Sequence, residues 1–440
     1  MKKLYILLLL IVTVSFNLKA VTYTSVQNGN WMNFTTWSPV GVPIPGDIII
    51  INTNVTLDTS FAYTSGSITV NSGASLVQDF PVRDIWLNGP NASLTNNGTT
   101  TIRYLLLSIG SYTNSGDFNV KSFANYITAN NTATGVIIGV DSLYNDGTII
   151  NDGTVNVMAF FNNNTINNYG IIQGLVTVVD SMFNVGTFLN DAGALLRADS
   201  FTNTGQFTNN GVVNFDQFTN TGTFINTDYM SFVDMTNTGT FTNQDSLIGT
   251  ISMWNTGNFD NQNGAVIDLG VSLLNADFVS FNAVFNNDGL FNIGDSYYNY
   301  DAVTGGATGS FIMQDTSFNN TGGTMTGSFD FCDMTPPATS PFIDINLGTV
   351  DPNITYCTIT GVTEMTDKLE WVVYPNPTTG ILNIELEDNF TVDVYNVLGE
   401  LIITSSAHKI DLTSFQNGIY FVLIKDEKGE TIKHKKIVKH

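Results

Sequence analysis

NVGTFLN at 184–190, NTGQFTN at 203–209, NTGTFIN at 220–226, NTGTFTN at 237–243 and NTGNFDN at 255–261 repeat one pattern through the middle of a 440-residue chain. Their glycines, Gly186, Gly205, Gly222, Gly239 and Gly257, are 19, 17, 17 and 18 residues apart, so the unit is about 18 residues long. Followed by glycine alone, the series runs back through Gly170, Gly153, Gly116 and Gly98 and forward to NDGLFNI at 287–293. A unit this short cannot be a helix pair, which needs more than about thirty residues and helical apolar spacing. Thr, Val, Ile and Phe between Asn and Gly read as short strands bounded by turns.

The expected fold is therefore all-β, a parallel β-helix with coils of about 18 residues, each pairing with the coils above and below at about 4.8 Å. Residues 94–293 then make roughly eleven coils and a rod on the order of 50 Å long. NDGTII at 145–150 runs straight into NDGTVN at 151–156, a sub-period of six that fits a three-sided coil. Phe188, Phe207, Phe224, Phe241 and Phe259 recur at one phase and should stack in a single interior column. Asn before Gly suits a corner, because both tolerate positive φ, and stacked Asn amides can hydrogen-bond along the axis. In an unbroken strand Asn, Gly, Phe and Asn would all face one side, so a bend must fall within the motif.

Composition divides the chain. Between Val21 and Thr363 stand 26 Asp, no Glu and no His, and the basic residues are Arg83, Arg103, Lys121 and Arg197. From Glu364 onward Glu, Lys and all three His appear together, which places a domain boundary near residue 364. So acidic a region argues against nucleic acid, whose binding rests on neutralising phosphates, and against unaided contact with anionic lipid. Residues 1–20 read as a signal peptide, with Lys2 and Lys3, an apolar core from Leu4 to Phe16 and a small residue at Ala20. No later segment reaches the ~20 apolar residues of a transmembrane helix.

An open solenoid end exposes strand edges, so caps are expected. Residues 21–93 read as the N-terminal cap and first coils, with Trp31, Trp37, Pro39, Pro43 and Pro45 breaking the period. Solenoid repeats occupy 94–328. Residues 329–363 read as a C-terminal cap or linker holding the only cysteines, Cys332 and Cys357, which an exported chain can join in a disulfide.

The segment 364–440 is a different protein physically. Tyr374-Pro375-Asn376-Pro377 with Gly380 is a rigid turn into the alternating strand ILNIEL at 381–386. TVDVYNV, ELIITS and GIYFVLI follow, separated by Leu398-Gly399-Glu400 and Gln416-Asn417-Gly418, as in a small Ig-like antiparallel β-sandwich. PNP, YNVLGE, NGIYFV and the basic strand KKIVK, in that order, resemble the type A C-terminal sorting domain of proteins exported by the type IX secretion system, with His440 extending past the usual basic end. The resemblance implies a secreted or outer-surface protein. It implies recognition by the type IX translocon and removal of the tail by a sortase-like protease, with release or attachment to surface lipopolysaccharide. The matching positions for the sorting signal are Pro375, Asn376, Pro377, Gly380, Gly399, Gly418, Tyr420, Lys435 and Lys436.

The upstream region names an architecture more clearly than an activity. Its lack of His removes His-dependent triads and metal ligands, and its lack of Glu leaves only Asp for acid and base roles. Its arginines look scattered, without the cation cluster a lyase needs. Tyr297, Tyr298 and Tyr300 offer aromatic faces for sugars, although a plain strand also explains them. The Asp surplus allows Ca²⁺, yet no calcium-binding repeat or EF-hand loop is present, and no other cofactor is expected. Asp-Ser-apolar triplets at 141–143, 180–182 and 245–247 resemble bacterial O-glycosylation acceptors. The expected function is a non-enzymatic, adhesin-like structural rod contacting glycans or matrix; the alternative is a polysaccharide lyase or hydrolase on the same scaffold.

Overall fold

In the computed structural model of the chain, the turn at 223–239 shows how the repeat becomes a coil. Thr223–Asn226 is one short strand, and Tyr229–Asn237 passes through a bend at Val233 to give two more segments, 229–232 and 234–237. Each segment pairs in parallel with its equivalents one turn below and above. Repeated, these segments build three parallel sheets, here sheets 1, 2 and 3 in chain order, in a solenoid of about 14 turns. The structure describes residues 20–80, 82–174, 181–277, 282–357, 372–374, 378–385, 390–396, 401–425 and 431–439. Of the expected signal peptide only Ala20 is among them.

Alternation decides the core. In the reference turn Phe224, Met230, Phe232 and Met235 point inward and are fully buried. Along sheet 1 the expected phenylalanine column is present: ring centroids step 4.8 Å from Phe188 to Phe207, 4.5 Å to Phe224, 4.9 Å to Phe241 and 4.8 Å to Phe259. The column goes on to Phe285, another 4.8 Å step. Such stacking is offset enough to avoid the unfavourable face-to-face quadrupole contact while burying most of each ring.

Asparagine closes the sheet 1 and sheet 3 segments inside the protein, and the two Asn of the motif serve different corners. Asn184, Asn203, Asn220, Asn237 and Asn255 end sheet 3 segments, whereas Asn190, Asn209, Asn226, Asn243 and Asn261 end sheet 1 strands. Asn220 Nδ2 donates to Asn237 Oδ1 one turn up at 2.8 Å, to Thr240 O at 3.0 Å and to Gly222 O at 3.3 Å. The same bonds recur at both corners, giving one ladder from Asn96 to Asn287 and a second from Asn125 to Asn346. The required bend lies at the two residues after the first Asn.

Two sequence readings need correction. The glycines of this corner do not adopt positive φ; the described residues that do are elsewhere. Glycine is required because the preceding turn passes too close: a Cβ on Gly222 would meet Gly205 O at 2.1 Å, and one on Gly239 would meet Gly222 O at 2.2 Å. The glycine series is also not one series. Gly98, Gly116, Gly153 and Gly170 follow sheet 1 asparagines and turn the chain into sheet 2, and NDGLFNI belongs to that corner too, with Phe291 in sheet 2. The doublet at 145–156 is one corner of each kind in succession.

The N-terminal end is closed by a small aromatic plug. Thr22–Ser25 pairs antiparallel with Trp37–Ser38, and Trp31 and Trp37 are buried with ring centroids 5.2 Å apart. Buried Asp47 accepts from the amides of Val21 and Ile44, tying this cap down. Parallel pairing between turns already begins at Thr22–Thr24 against Ile48–Ile50 and continues past the expected end, through Asp330–Asp333 to Thr349–Val350. Cys332 and Cys357 are joined there, Cα atoms 4.5 Å apart. Tyr297, read as a surface residue, is fully buried with no partner for its hydroxyl among the described residues; burial raises its pKa.

The second unit contains a three-stranded and a four-stranded antiparallel sheet. Leu382 and Ile384 from one and Val392, Val422, Ile424 and Ile437 from the other share one apolar core. The chain divides between units at Thr358 and Ile359, close to the composition break.

Asn220→Leu should lower stability by about 2 kcal/mol, because it removes the side-chain acceptor of Asn203 Nδ2 and the Asn220 donor to the buried Oδ1 of Asn237. Thr219→Ala, one residue earlier on the outer face, should change it by under ~0.5 kcal/mol; urea unfolding of both variants reads the difference. Removing the Cys332–Cys357 bond, whose sequence separation is 25, should cost about 3 kcal/mol, seen as an earlier melt of the C-terminal turns on reduction.

Candidate functional site: the sorting tail and one face of the solenoid

In the tail, antiparallel pairing brings separated motifs together. Gly418–Lys425 lies between Thr391–Asn396 and Thr431–Lys439, placing Tyr420 opposite Ile437, Phe421 opposite Lys436, Val422 opposite Lys435 and Gly418 opposite Lys439. Tyr420 is buried and its hydroxyl donates to Gln416 O, while Lys439 Nζ donates to Phe415 O at 2.8 Å and Asn417 Oδ1 at 3.1 Å. Gly418 and Tyr420 also line a depression of about 280 Å³ with Asn396, Ile402 and Phe415. Gly380 lies at φ 140 with its amide on Thr378 Oγ1, and a Cβ there would meet Thr413 Cγ2 at 2.7 Å. Pro375, Asn376, Pro377 and Gly399 are outside the described residues, as are the side chains of Lys435 and Lys436.

One ion pair stabilises this sheet. Asp393 is buried and accepts from Lys425 Nζ at 2.6 Å and Thr404 Oγ1 at 2.7 Å. Burial alone would raise its pKa, but the bonds from Lys425 and Thr404 outweigh it and hold the carboxyl below the usual range.

In the solenoid, one outward position of sheet 3, which directly precedes the asparagine from Asn125 onward and Tyr63, Leu87 and Leu107 in the turns below, forms a column along the axis. Ala62, Trp86, Leu106, Ala124, Tyr144, Phe161 and Phe183 are successive register partners, followed by Thr202, Thr219, Thr236 and then Trp254. Trp86, Phe161, Phe183 and Trp254 are 45%, 40%, 39% and 40% exposed. Phe161 and Phe183 stack at 5.2 Å, and Tyr126, at the adjoining corner, packs on Tyr144 at 5.9 Å. The outer positions of sheet 1 at these levels are Thr95, Thr113, Asn130, Ile150 and Asn167.

Beside this column runs the corner between sheets 2 and 3, and it gathers cations that look scattered in sequence. Arg103 N donates to Arg83 O at 2.9 Å, and the register places Lys121 beside Arg103 on the next turn. Each cation faces a carboxylate: Arg83 with Asp79 at 2.8 Å, Arg103 in a two-pronged pair with Asp84, Lys121 with Asp141 at 3.3 Å. Two depressions open here. One of about 190 Å³ is lined by Ser60, Phe61, Ala62, Asp84 and Trp86. The other, about 340 Å³, is lined by Arg103, Tyr104, Lys121, Ser122 and Asp141. The Asp84–Arg103 pair joins them. Burial, then Tyr126 and Asp84, raise the Tyr104 pKa, keeping that phenol neutral.

The sequence hid this face because its signal is positional: one outward position per sheet 3 segment, marked by a following asparagine only from Ala124 onward, so that Trp86 emerges only from the pairing between turns. Among the described residues, no three His, Cys, Asp or Glu side chains converge to hold a metal ion, and no helix is long and apolar enough to cross a membrane.

Fold and tail together define an exported β-solenoid. Residues 372–440 match the secretion system C-terminal sorting domain, which marks the chain as a type IX secretion substrate bound for the cell surface or medium. Beta-agarase D of Zobellia galactanivorans is 39% identical over 75 residues, 17% of this chain and 15% of that protein, and the likeness is confined to the tail.

Acid should loosen the tail. Asp393 binds its proton less readily folded than unfolded, so its contribution is complete above the unfolded value near ~3.9 and is lost as pH falls through the lowered folded value. Hydrogen exchange of Gly418–Lys425 in the full chain should accelerate over that range beyond the intrinsic trend, and Asp393→Asn should remove the pH-dependent part.

Proposed function

We propose that the solenoid is a non-enzymatic, adhesin-like rod that the sorting tail delivers to the outer surface and that holds glycan or matrix there. The observation that carries this reading is the outward aromatic column of sheet 3 on a scaffold without His or Glu. Exposed flat rings with a polar border favour saccharide rings, whose C–H faces stack and whose hydroxyls need donors and acceptors. The carboxylates bordering the column, Asp84 and Asp141, are each engaged by a cation, whereas hydrolysis needs one carboxyl as acid and another as base. The relative's agarase activity does not transfer, since the shared segment is the tail.

On this reading residues 1–20 direct the chain out of the cytoplasm. Pro375, Asn376, Pro377, Gly380, Gly399, Gly418, Tyr420, Lys435 and Lys436 are read by the translocon, and a sortase-like protease removes the tail, leaving the solenoid free or joined to lipopolysaccharide. No cofactor is assigned. The test is a polysaccharide panel scored for retention and for new chain ends, with and without calcium. Retention with intact chains, unchanged by chelation, is the expected result; new reducing or unsaturated ends would establish the lyase or hydrolase alternative instead.

A further inference from the structure

We infer that the two depressions at the sheet 2 to sheet 3 corner, continued by the exposed rings of the sheet 3 column from Trp86 to Phe183, form one groove that binds a single extended chain of an uncharged polysaccharide lying parallel to the solenoid axis. This rests on the glycan-holding reading above and specifies its site and ligand class.

Spacing sets the direction of the ligand. Successive turns present equivalent side chains about 4.8 Å apart, and one ring advances an extended polysaccharide by about one such step. Trp86, Tyr144, Phe161 and Phe183 lie in one register column, so consecutive sugars meet consecutive rungs without bending the chain. Leu106 and Ala124, between Trp86 and Tyr144, keep that stretch low and apolar.

Charge selects the occupant. Three of the four cations between residues 21 and 363 border this groove, yet each faces an aspartate, so the groove is close to neutral inside a region with 26 Asp. A polyanion would have to enter that negative field and compete with Asp79, Asp84 and Asp141 for their cations. A neutral chain does neither. Its vicinal hydroxyls both donate and accept, and alternating guanidinium, carboxylate and ammonium groups offer both partners side by side. Such a pair is exposed enough to open toward the ligand: Arg103 and Lys121 side chains are 45% and 61% accessible.

The groove is distinct from the second half of the same face. Thr202, Thr219 and Thr236 interrupt the column before Trp254, and Trp254 Nε1 is tied to Ala276 O at 3.0 Å. The remaining cation of the solenoid, Arg197, stands on the outer face of sheet 2 beside Asn214 rather than at the corner.

The experiment uses the full chain with agarose, xyloglucan and laminarin as neutral probes and alginate and carrageenan as polyanions, by affinity electrophoresis and calorimetry. Wild type should bind at least one neutral probe, and Trp86→Ala with Phe161→Ala should weaken it by about tenfold or more. Thr219→Ala should leave binding unchanged. Trp86 and Phe161 are exposed and Thr219 is half-buried on the outer face, and equal urea midpoints confirm that the variants fold. Neutral-chain binding that both sets of variants leave intact would overturn the groove and keep the rod reading. Binding of the polyanions alone would overturn the ligand class. If no probe binds, the glycan reading falls, and the groove with it.

Discussion

A buried carboxamide carries two N–H donors and a carbonyl, and leaving any of them unpaired inside a protein costs about 1–3 kcal/mol. At two corners of every regular turn this chain buries such a group, so the next turn must arrive with its own Asn at the same height. That demand fixes both the axial register and the rotation of each turn. The phenylalanine column follows from it, since Phe224 sits two residues before Asn226 and alternation turns both inward. So does the close passage of backbone that admits only glycine after Asn220. The ladder is stronger in specifying register than in adding net stability, because each amide in the unfolded chain is already satisfied by water.

Among the described residues the third corner has no such ladder, and its freedom is where the solenoid acquires character. Its bend residue is Lys121, Met158, Asp199, Asp216 or Val233 in different turns. With no buried amide to serve, that position can carry a charge on one turn and an apolar group on the next. The adjoining outer face of sheet 3 is equally free, and it holds the large exposed rings.

Much of this was legible in sequence and some was not, for definable reasons. Period, three-sidedness, the phenylalanine column and axial Asn bonding follow from composition and spacing, because periodic burial leaves a periodic trace. The assignment of Gly98 to Gly170 failed because N-x-G occurs at two corners that only the pairing between turns tells apart. The role of glycine was misread because backbone contact between turns, not φ, excludes Cβ, and such contacts join residues 17 or more apart. Arg83, Arg103 and Lys121 look isolated for the same reason: coiling brings together positions about 18 residues apart. In the tail the motif order carried over directly, since hairpin neighbours in sequence are neighbours in the sheet.

The two units also answer different electrostatic demands. The solenoid can be almost devoid of Lys and Glu because its stability comes from apolar columns and buried amides that are indifferent to ionic strength and pH. Apart from Asp47, Asp301, Asp330 and Asp333, which are buried, its described aspartates lie at partly or fully exposed positions, where mutual repulsion is screened and like charge opposes association of so regular a stack of strands. Among the described residues the tail has no ladder and a core of far fewer side chains. It relies on antiparallel pairing and on buried charge partners such as Asp393 with Lys425, so it needs the mixed composition that the solenoid excludes. The sharp change in residue usage near 364 is thus what two different means of holding strands together look like when written in one chain.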